Sequence, residues 1–304
     1  MPTPELRFPP RLSLARDDEL RALCADWAED ERLEGILFLG RAYDGSGENA
    51  GVDALVVARQ TGPPAGAHYR VAVGDYWLRV RFATYREFLR EVQGGAATSL
   101  KLALRDAFVA LDRRGRLADV LRAIEPALNE ALPKARVAAA AQVAAALRDA
   151  EAALAKSSPS DAAAVLARTC MKLAELELLT AGAWPPDACP LAVYEESPVR
   201  RVFEAIWPAA GDVGELGRVY ADASVVFRRY LPAATAYIFD FLIKRGGSVA
   251  LGSAVDALAL AGIPDVDLVF NALRAYGLIK IGKEERSLPG LPGAVYEEPV
   301  LTLP

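Results

Sequence analysis

The sequence predicts an α+β protein built from three parts: a small mixed-sheet domain, an α-helical bundle and a small C-terminal domain of helices and strands. Three observations predict this order. Short apolar runs of strand length, separated by glycine- and proline-containing turns, recur within residues 1–115. Apolar residues at helical spacing dominate 116–230, and short helical and strand-like segments alternate over 231–304. We therefore predict one domain for each range.

Length and composition are those of a packed protein with more than one domain. The chain has 304 residues, of which 53% are hydrophobic and 25% are charged, and one small core cannot bury that much chain. No apolar run reaches the roughly 18 residues that a membrane-spanning helix needs, and the first residues lack the apolar core of a signal peptide. The sequence thus predicts a cytoplasmic protein without membrane contact. Its net charge of −5 disfavours non-specific binding to nucleic acid.

Cysteine and histidine are too few and too scattered to predict a disulfide framework or a metal site. Cys24, Cys170 and Cys189 have no CxxC spacing, which favours three buried thiols. The single histidine, His68, follows a Gly/Pro-rich segment and is predicted to be a solvated turn residue. Abundant Ala, Leu and Arg with few Met, Asn and Gln fit either a thermophile or a GC-rich genome.

The first domain is predicted to contain three helices and five strands. In chain order these are a helix at 17–32, strands at 35–40, 52–58, 69–73 and 76–82, helices at 85–92 and 99–105, and a strand at 108–111. Thr84 followed three residues later by Glu87 is a capping-box pattern. This pattern predicts where the 85–92 helix begins.

Helical periodicity dominates the middle of the chain. Helices are predicted over 117–130, 133–156, 161–180, 198–207 and 213–230. Pro133 suits the first turn of the second helix, and Ser160 can cap the third. Short connections between long amphipathic helices imply antiparallel neighbours, and hence a bundle.

The C-terminal domain is predicted to be winged-helix-like. Its predicted elements are a helix at 233–245, a short apolar run at 248–251, helices at 253–261 and 265–276, and strands at 277–281 and 295–303 around a Gly/Pro-rich excursion at 282–293. The third helix of such a domain reads DNA, yet here it carries Asp265 and Asp267 against Arg274. Contact with protein, or packing, is therefore favoured over duplex binding.

A glycine-rich loop between two predicted strands, within Leu33–Arg59, is the main candidate for a functional site. Its candidate phosphate-binding residues are Gly40, Arg41, Gly45, Ser46 and Gly47. Asp53 stands at the start of the strand that follows. Glycine amides can approach a phosphate closely, and a neighbouring carboxylate can bind a metal ion. A plain connecting loop is the alternative interpretation.

The order of elements and this glycine–carboxylate stretch resemble the polymerase-β-type nucleotidyltransferases, and the following helices resemble the bundle of the kanamycin nucleotidyltransferase type. Members carry a Gly-Ser pair after the first strand, an Asp-x-Asp or Asp-x-Glu pair on the second, and a third carboxylate on a later strand. These carboxylates hold two Mg²⁺ ions that activate the attacking hydroxyl and neutralise the triphosphate. The resemblance implies a nucleotidyltransferase fold, with Asp53 as a catalytic and metal-binding residue.

The chain departs from the family pattern at several of these positions. Arg41 follows Gly40 where a serine is expected, and Asp53 is the only member of the carboxylate pair. On the later strand, Arg79 and Arg81 alternate with apolar residues where a carboxylate is expected. A site with a single carboxylate holds Mg²⁺ weakly.

Three functional hypotheses follow. The leading one is a catalytically degenerate nucleotidyltransferase-fold protein that binds a nucleotide or a protein partner, including a second copy. Arg41, Arg79 and Arg81 would then supply the positive charge of the missing metal, although a solvated strand face also explains Arg79 and Arg81. The second hypothesis is an active Mg²⁺-dependent enzyme that moves a nucleoside monophosphate from a triphosphate, with Asp53 as metal ligand. The third is a winged-helix DNA-binding regulator.

Overall fold

A computed structural model describes residues 17–39, 53–59, 68–73, 76–93, 99–105, 107–185, 196–263, 265–287 and 295–304. The chain divides into two compact units, Met1–Ala131 and Leu132–Pro304. The finer division into domains at 1–115, 116–230 and 231–304 stays a prediction. No helix in the described ranges is both long enough and apolar enough to cross a membrane.

The first unit is built on a five-stranded mixed sheet. Its elements are α1 (Asp17–Glu29), β1 (Leu33–Leu39), β2 (Asp53–Ala58), β3 (His68–Val73), β4 (Tyr76–Thr84), α2 (Tyr85–Gln93), α3 (Ser99–Arg105), β5 (Phe108–Asp112) and the start of α4 (Arg116–Ala155). The strand order is β3-β4-β2-β1-β5. β2 and β4 run parallel, and the other neighbours are antiparallel. The predicted α+β class and mixed sheet are therefore confirmed.

Helix α1 covers one face of this sheet. Leu20 and Cys24 of α1 share a buried apolar cluster with Ile36, Val56 and Val80 from the three central strands. Burial raises the pKa of the Cys24 thiol to about 12. In the second unit the same cause raises the pKa of Cys170 to about 12. The prediction of buried thiols is confirmed for these two, and Cys189 lies outside the described residues.

Helix α2 begins at the predicted capping box. The backbone N–H and the hydroxyl of Thr84 both donate to Glu87 Oε2 at 2.8 Å, and the Glu87 N–H donates back to the Thr84 hydroxyl at 3.3 Å. These bonds satisfy donors that the first turn of a helix otherwise leaves without partners. The hydrogen bonds from Thr84 lower the pKa of Glu87 below its usual value.

This lowered pKa makes part of the stability dependent on pH. The ionised Glu87 stabilises the folded state at neutral pH, and that contribution is lost as the pH falls through the folded-state pKa. We expect wild type to be more stable than Glu87→Gln at pH 7, and the difference to shrink below about pH 4.5. Urea unfolding of both proteins at pH 7 and at pH 3.5 measures this difference in the free energy of unfolding. Glu125→Gln, at an exposed position of α4, is the matched control, and an equal pH effect in both variants would contradict the assignment.

Helix α4 runs from Arg116 to Ala155 without a break. The prediction of two helices separated near Pro133 is wrong. A proline inside a helix removes a hydrogen bond and costs about 3 kcal/mol or more, but apolar residues are buried on both sides of it, at Leu128 and Val137. This burial offsets the cost of the proline, so the helix continues.

The second unit contains helices and a three-stranded antiparallel sheet. Its further elements are α5 (Pro159–Thr180), α6 (Pro198–Ala209), α7 (Val213–Ala234), α8 (Ala236–Lys244), β6 (Ser248–Ala250), α9 (Leu251–Leu260), α10 (Val266–Ala275), β7 (Lys280–Ser287) and β8 (Val295–Thr302). The sheet order is β6-β8-β7. One continuous apolar cluster, from Val137 to Leu301, joins residues of the long helices, the short helices and β8.

Several element boundaries in this unit differ from the predictions, and two of the differences concern α5 and β7. The N-cap of α5 is Ser158 rather than Ser160, and Pro159 takes the first helical position. β7 continues to Ser287, through the first part of the predicted excursion. Its backbone ladder with β8 runs as far as Ser287, and the cross-strand ion pair of Arg286 with Glu298 at 3.3 Å adds to this pairing.

A carboxylate joins three helices of the second unit. Glu177 of α5 accepts a hydrogen bond from the Tyr230 hydroxyl of α7 at 2.6 Å and another from the Ser197 hydroxyl. Ser197 is also the N-cap of α6, where it accepts from the Val199 N–H at 3.0 Å. The half-buried charge is therefore hydrogen-bonded on both oxygens, and it fixes where α6 begins.

Candidate functional site

The parallel pairing of β2 with β4 positions the candidate site. In this ladder Asp53 pairs with Arg79, and Leu55 pairs with Arg81. The antiparallel ladder of β3 with β4 pairs Arg70 with Arg79. Arg70, Arg79 and Asp53 thus occupy one row of paired positions across three neighbouring strands.

Arg70 and Arg79, which we call the arginine pair, lie on the face of the sheet away from α1. Both are exposed, whereas Leu78 and Val80 on either side of Arg79 are buried against the α1 face. Residues directly opposite on neighbouring strands have Cβ atoms about 5 Å apart, and like charges at such positions repel. Guanidinium groups attract a phosphate and repel a metal cation.

Arg81 makes a different contact. Its two terminal nitrogens donate to the two carboxylate oxygens of Glu91 on α2, at 3.2 and 2.7 Å. The side chains are 25% and 28% exposed, and Arg81 Nε is buried without a hydrogen-bond partner. This two-pronged pairing is geometrically specific and ties β4 to α2. Glu91 therefore occupies both terminal nitrogens of Arg81. The role of Arg81 in phosphate binding stays a prediction.

Of the predicted glycine-loop site, the structure describes the backbone of Asp53. Gly40, Arg41, Gly45, Ser46 and Gly47 lie outside the described residues. For Asp53 the strand position is described, at the first residue of β2. Among the side chains in the described ranges, no group of three or more His, Cys, Asp or Glu is arranged to hold a metal ion. Asp53 as a metal ligand therefore stays a prediction.

Sequence reasoning missed Arg70 and Glu91. Alternation within β3 gives Arg70 a different face from Tyr69, whose ring packs edge-on against Phe82 at 5.5 Å. That alternation was readable from the sequence. The pairing partner of Arg70 was not, because register between strands is set by contacts far apart in the chain.

Comparisons with known proteins found a similar solved structure, but no matching family model or curated protein. The chain is similar to the crystal structure of a nucleotidyltransferase-like protein from Exiguobacterium sibiricum 255-15. The match covers 94% of this chain and 98% of that chain, with a TM-score of 0.58 and 14% sequence identity.

The chain has a nucleotidyltransferase-like fold. At this identity the likeness concerns the fold and not the activity. Within a nucleotidyltransferase-like fold, function depends on the residues at particular strand positions. The row of Asp53, Arg79 and Arg70 stays a candidate site.

Proposed function

We propose that this nucleotidyltransferase-fold protein lacks transferase activity and binds the phosphates of a nucleotide through the arginine pair. The observation that carries the proposal is the register, which pairs Asp53 of β2 with Arg79 of β4. Two-metal phosphoryl transfer needs carboxylates that converge on a pair of cations. A guanidinium in that position repels a divalent cation and attracts the phosphate directly.

The pattern that the sequence resembles has a carboxylate on a later strand, and this chain has Arg79 and Arg81 on β4. Arginine binds phosphate through paired N–H donors and keeps its charge at all physiological pH values. Arg79 and Arg70 can therefore neutralise phosphate charge without Mg²⁺. In this proposal the protein binds a nucleotide without Mg²⁺ and does not transfer it.

The test is calorimetry with ATP, CTP and GTP, each in EDTA and each with Mg²⁺. We expect the nucleotide to bind in EDTA, and Mg²⁺ not to raise the affinity. Arg79→Gln or Arg70→Gln should each lower the affinity about tenfold, which corresponds to the loss of one hydrogen bond to a charged group. Arg122→Gln is the matched control, because Arg122 is a 78% exposed arginine of the same unit that pairs with Asp119. If both arginine-pair variants kept the nucleotide affinity of wild type, the proposal would be wrong.

An active Mg²⁺-dependent nucleotidyltransferase is the second candidate, and the place of Asp53 at the start of β2 favours it. That candidate predicts binding that is strictly dependent on Mg²⁺, and transfer of a nucleoside monophosphate that Asp53→Asn abolishes. The proposed binding module predicts neither result. Incubation with α-labelled triphosphates separates the two.

The C-terminal segment supports a protein contact more than a DNA contact. The order α8-β6-α9-α10-β7-β8 and the sheet β6-β8-β7 support a winged-helix-like description. However, α10 begins with exposed Asp265 and Asp267, and the β7–β8 hairpin pairs Glu284 with Glu298 and Glu285 with Glu297. These carboxylates oppose contact with DNA phosphates. No duplex binding is expected at low salt, and salt-sensitive binding that is weakened by Arg274→Glu would favour a DNA-binding regulator instead.

A further inference from the structure

A second group of arginines lies at the other end of β2 from Asp53. Glu34, at a bulge in β1, is 3% exposed, and its Oε2 lies 3.4 Å from Arg59 Nε and 3.5 Å from Arg114 Nε. These distances exceed the roughly 2.7–2.9 Å of a charge-assisted hydrogen bond. Two guanidiniums therefore converge on one carboxylate oxygen without close bonds to it. Their side chains remain 40% and 45% exposed to solvent.

A third arginine, Arg116, is grouped with Arg59 and Arg114 at this end of β2. Ala58 pairs with Thr84 at the end of the parallel ladder, and Arg59 and Tyr85 directly follow these two residues in the chain. The guanidinium of Arg116 lies over the Tyr85 ring, 6.0 Å from its centroid. We call Arg59, Arg114 and Arg116 the arginine rim.

Asp112 and Glu34 are the carboxylates whose contacts with the rim residues the structure describes. Asp112 accepts hydrogen bonds from the N–H groups of Arg116, Leu117 and Ala118 at 2.9–3.1 Å, and so caps α4. Glu34 lies between the guanidiniums of Arg59 and Arg114, and its other oxygen, Oε1, is buried without a hydrogen-bond partner. Among these described groups, three guanidiniums stand against two carboxylates, so the rim carries a surplus of one positive charge.

The position in the sheet also suits a ligand. β2 and β4 end here, β5 runs in the same direction, and α2 and α4 begin here. Ligands of open α/β sheets bind beyond the carboxyl ends of strands, where helix N-termini add partial positive charge. Asp53 and Arg59 are six residues apart along an extended strand, or about 20 Å. The rim is therefore a different place from the arginine pair.

We propose that Arg59, Arg114 and Arg116 bind the phosphate group of a small ligand. The buried carboxylate of Glu34 acts as a positioning group that holds Arg59 and Arg114 side by side. Both arginine side chains are partly exposed to solvent, and the paired N–H donors of arginine match a phosphate better than a chloride ion.

The test uses inorganic phosphate and the full chain labelled with ¹⁵N-arginine. We expect saturable shifts of the Arg59 and Arg114 Nε–Hε signals with phosphate, and none with chloride at equal ionic strength. Arg59→Gln and Arg114→Gln should each weaken phosphate binding about tenfold, while Arg122→Gln leaves it unchanged. Because the signals followed are those of Arg59 and Arg114, the titration reports this site and not the arginine pair.

Three results would overturn the proposal: shifts that do not saturate, shifts that chloride reproduces, or affinity that is kept in both rim variants. Binding of a duplex oligonucleotide without binding of phosphate also overturns it, since that indicates only attraction of a polyanion. Each single variant keeps one arginine beside Glu34, so both are expected to fold. Circular dichroism of each variant checks this before titration.

Discussion

Replacing both Arg59 and Arg114 by alanine is expected to destabilise the protein by about 3–5 kcal/mol, whereas either single replacement costs about 1 kcal/mol or less. The reason is the burial of Glu34, whose side chain is 3% exposed and lies 3.4 and 3.5 Å from the two arginines. One remaining guanidinium still compensates the charge. Removal of both leaves a carboxylate buried without a counter-charge, which is far more costly than loss of an exposed ion pair.

Urea unfolding of wild type, the two single variants and the double variant measures this coupling. The expected result is strong non-additivity, because the two arginines share one partner. Adding Glu34→Gln to the double variant should recover part of the stability, since the uncompensated charge is then gone. Additive losses of about 1 kcal/mol per arginine would show that solvent, and not the arginines, compensates Glu34.

Features encoded by neighbouring residues were predictable from the sequence. The capping box of Thr84 and Glu87 was predicted and found, because both of its partners lie within one helical turn. The bulk of the helices and strands was predictable for the same reason. The prediction near Pro133 failed because burial on both sides of the proline outweighs a local rule.

Features encoded by distant residues were not predictable. Nothing in the spacing of Arg70 and Arg79 states that they pair across β3 and β4, or that Asp53 is next in the row. The ion pair of Arg81 with Glu91 likewise depends on how α2 packs against β4. The sequence could propose the residue types of the candidate site, but their neighbours follow only from strand order and register.

Replacing Gly35 by alanine is expected to destabilise the first unit by about 1–3 kcal/mol, although the substitution adds a single methyl group. A Cβ at this position in β1 would lie 2.5 Å from the backbone oxygen of Leu111 on β5 and would also meet the Leu117 side chain of α4. The Leu111 oxygen belongs to the sheet backbone and cannot move without disturbing the β1–β5 ladder. Gly35 is therefore required by close approach, and not by its backbone angles.

Gly217→Ala is the matched control, because a Cβ there meets nothing within 4 Å. Gly217 lies inside α7, where alanine is a better helix former than glycine, so this change should stabilise by about 0.5–1 kcal/mol. A Leu117→Ala change made together with Gly35→Ala removes the side-chain clash and leaves the backbone clash. The two changes together should therefore cost less than the sum of their separate effects, yet more than Leu117→Ala alone. Equal stability of Gly35→Ala and wild type would contradict the close packing of β1, β5 and α4.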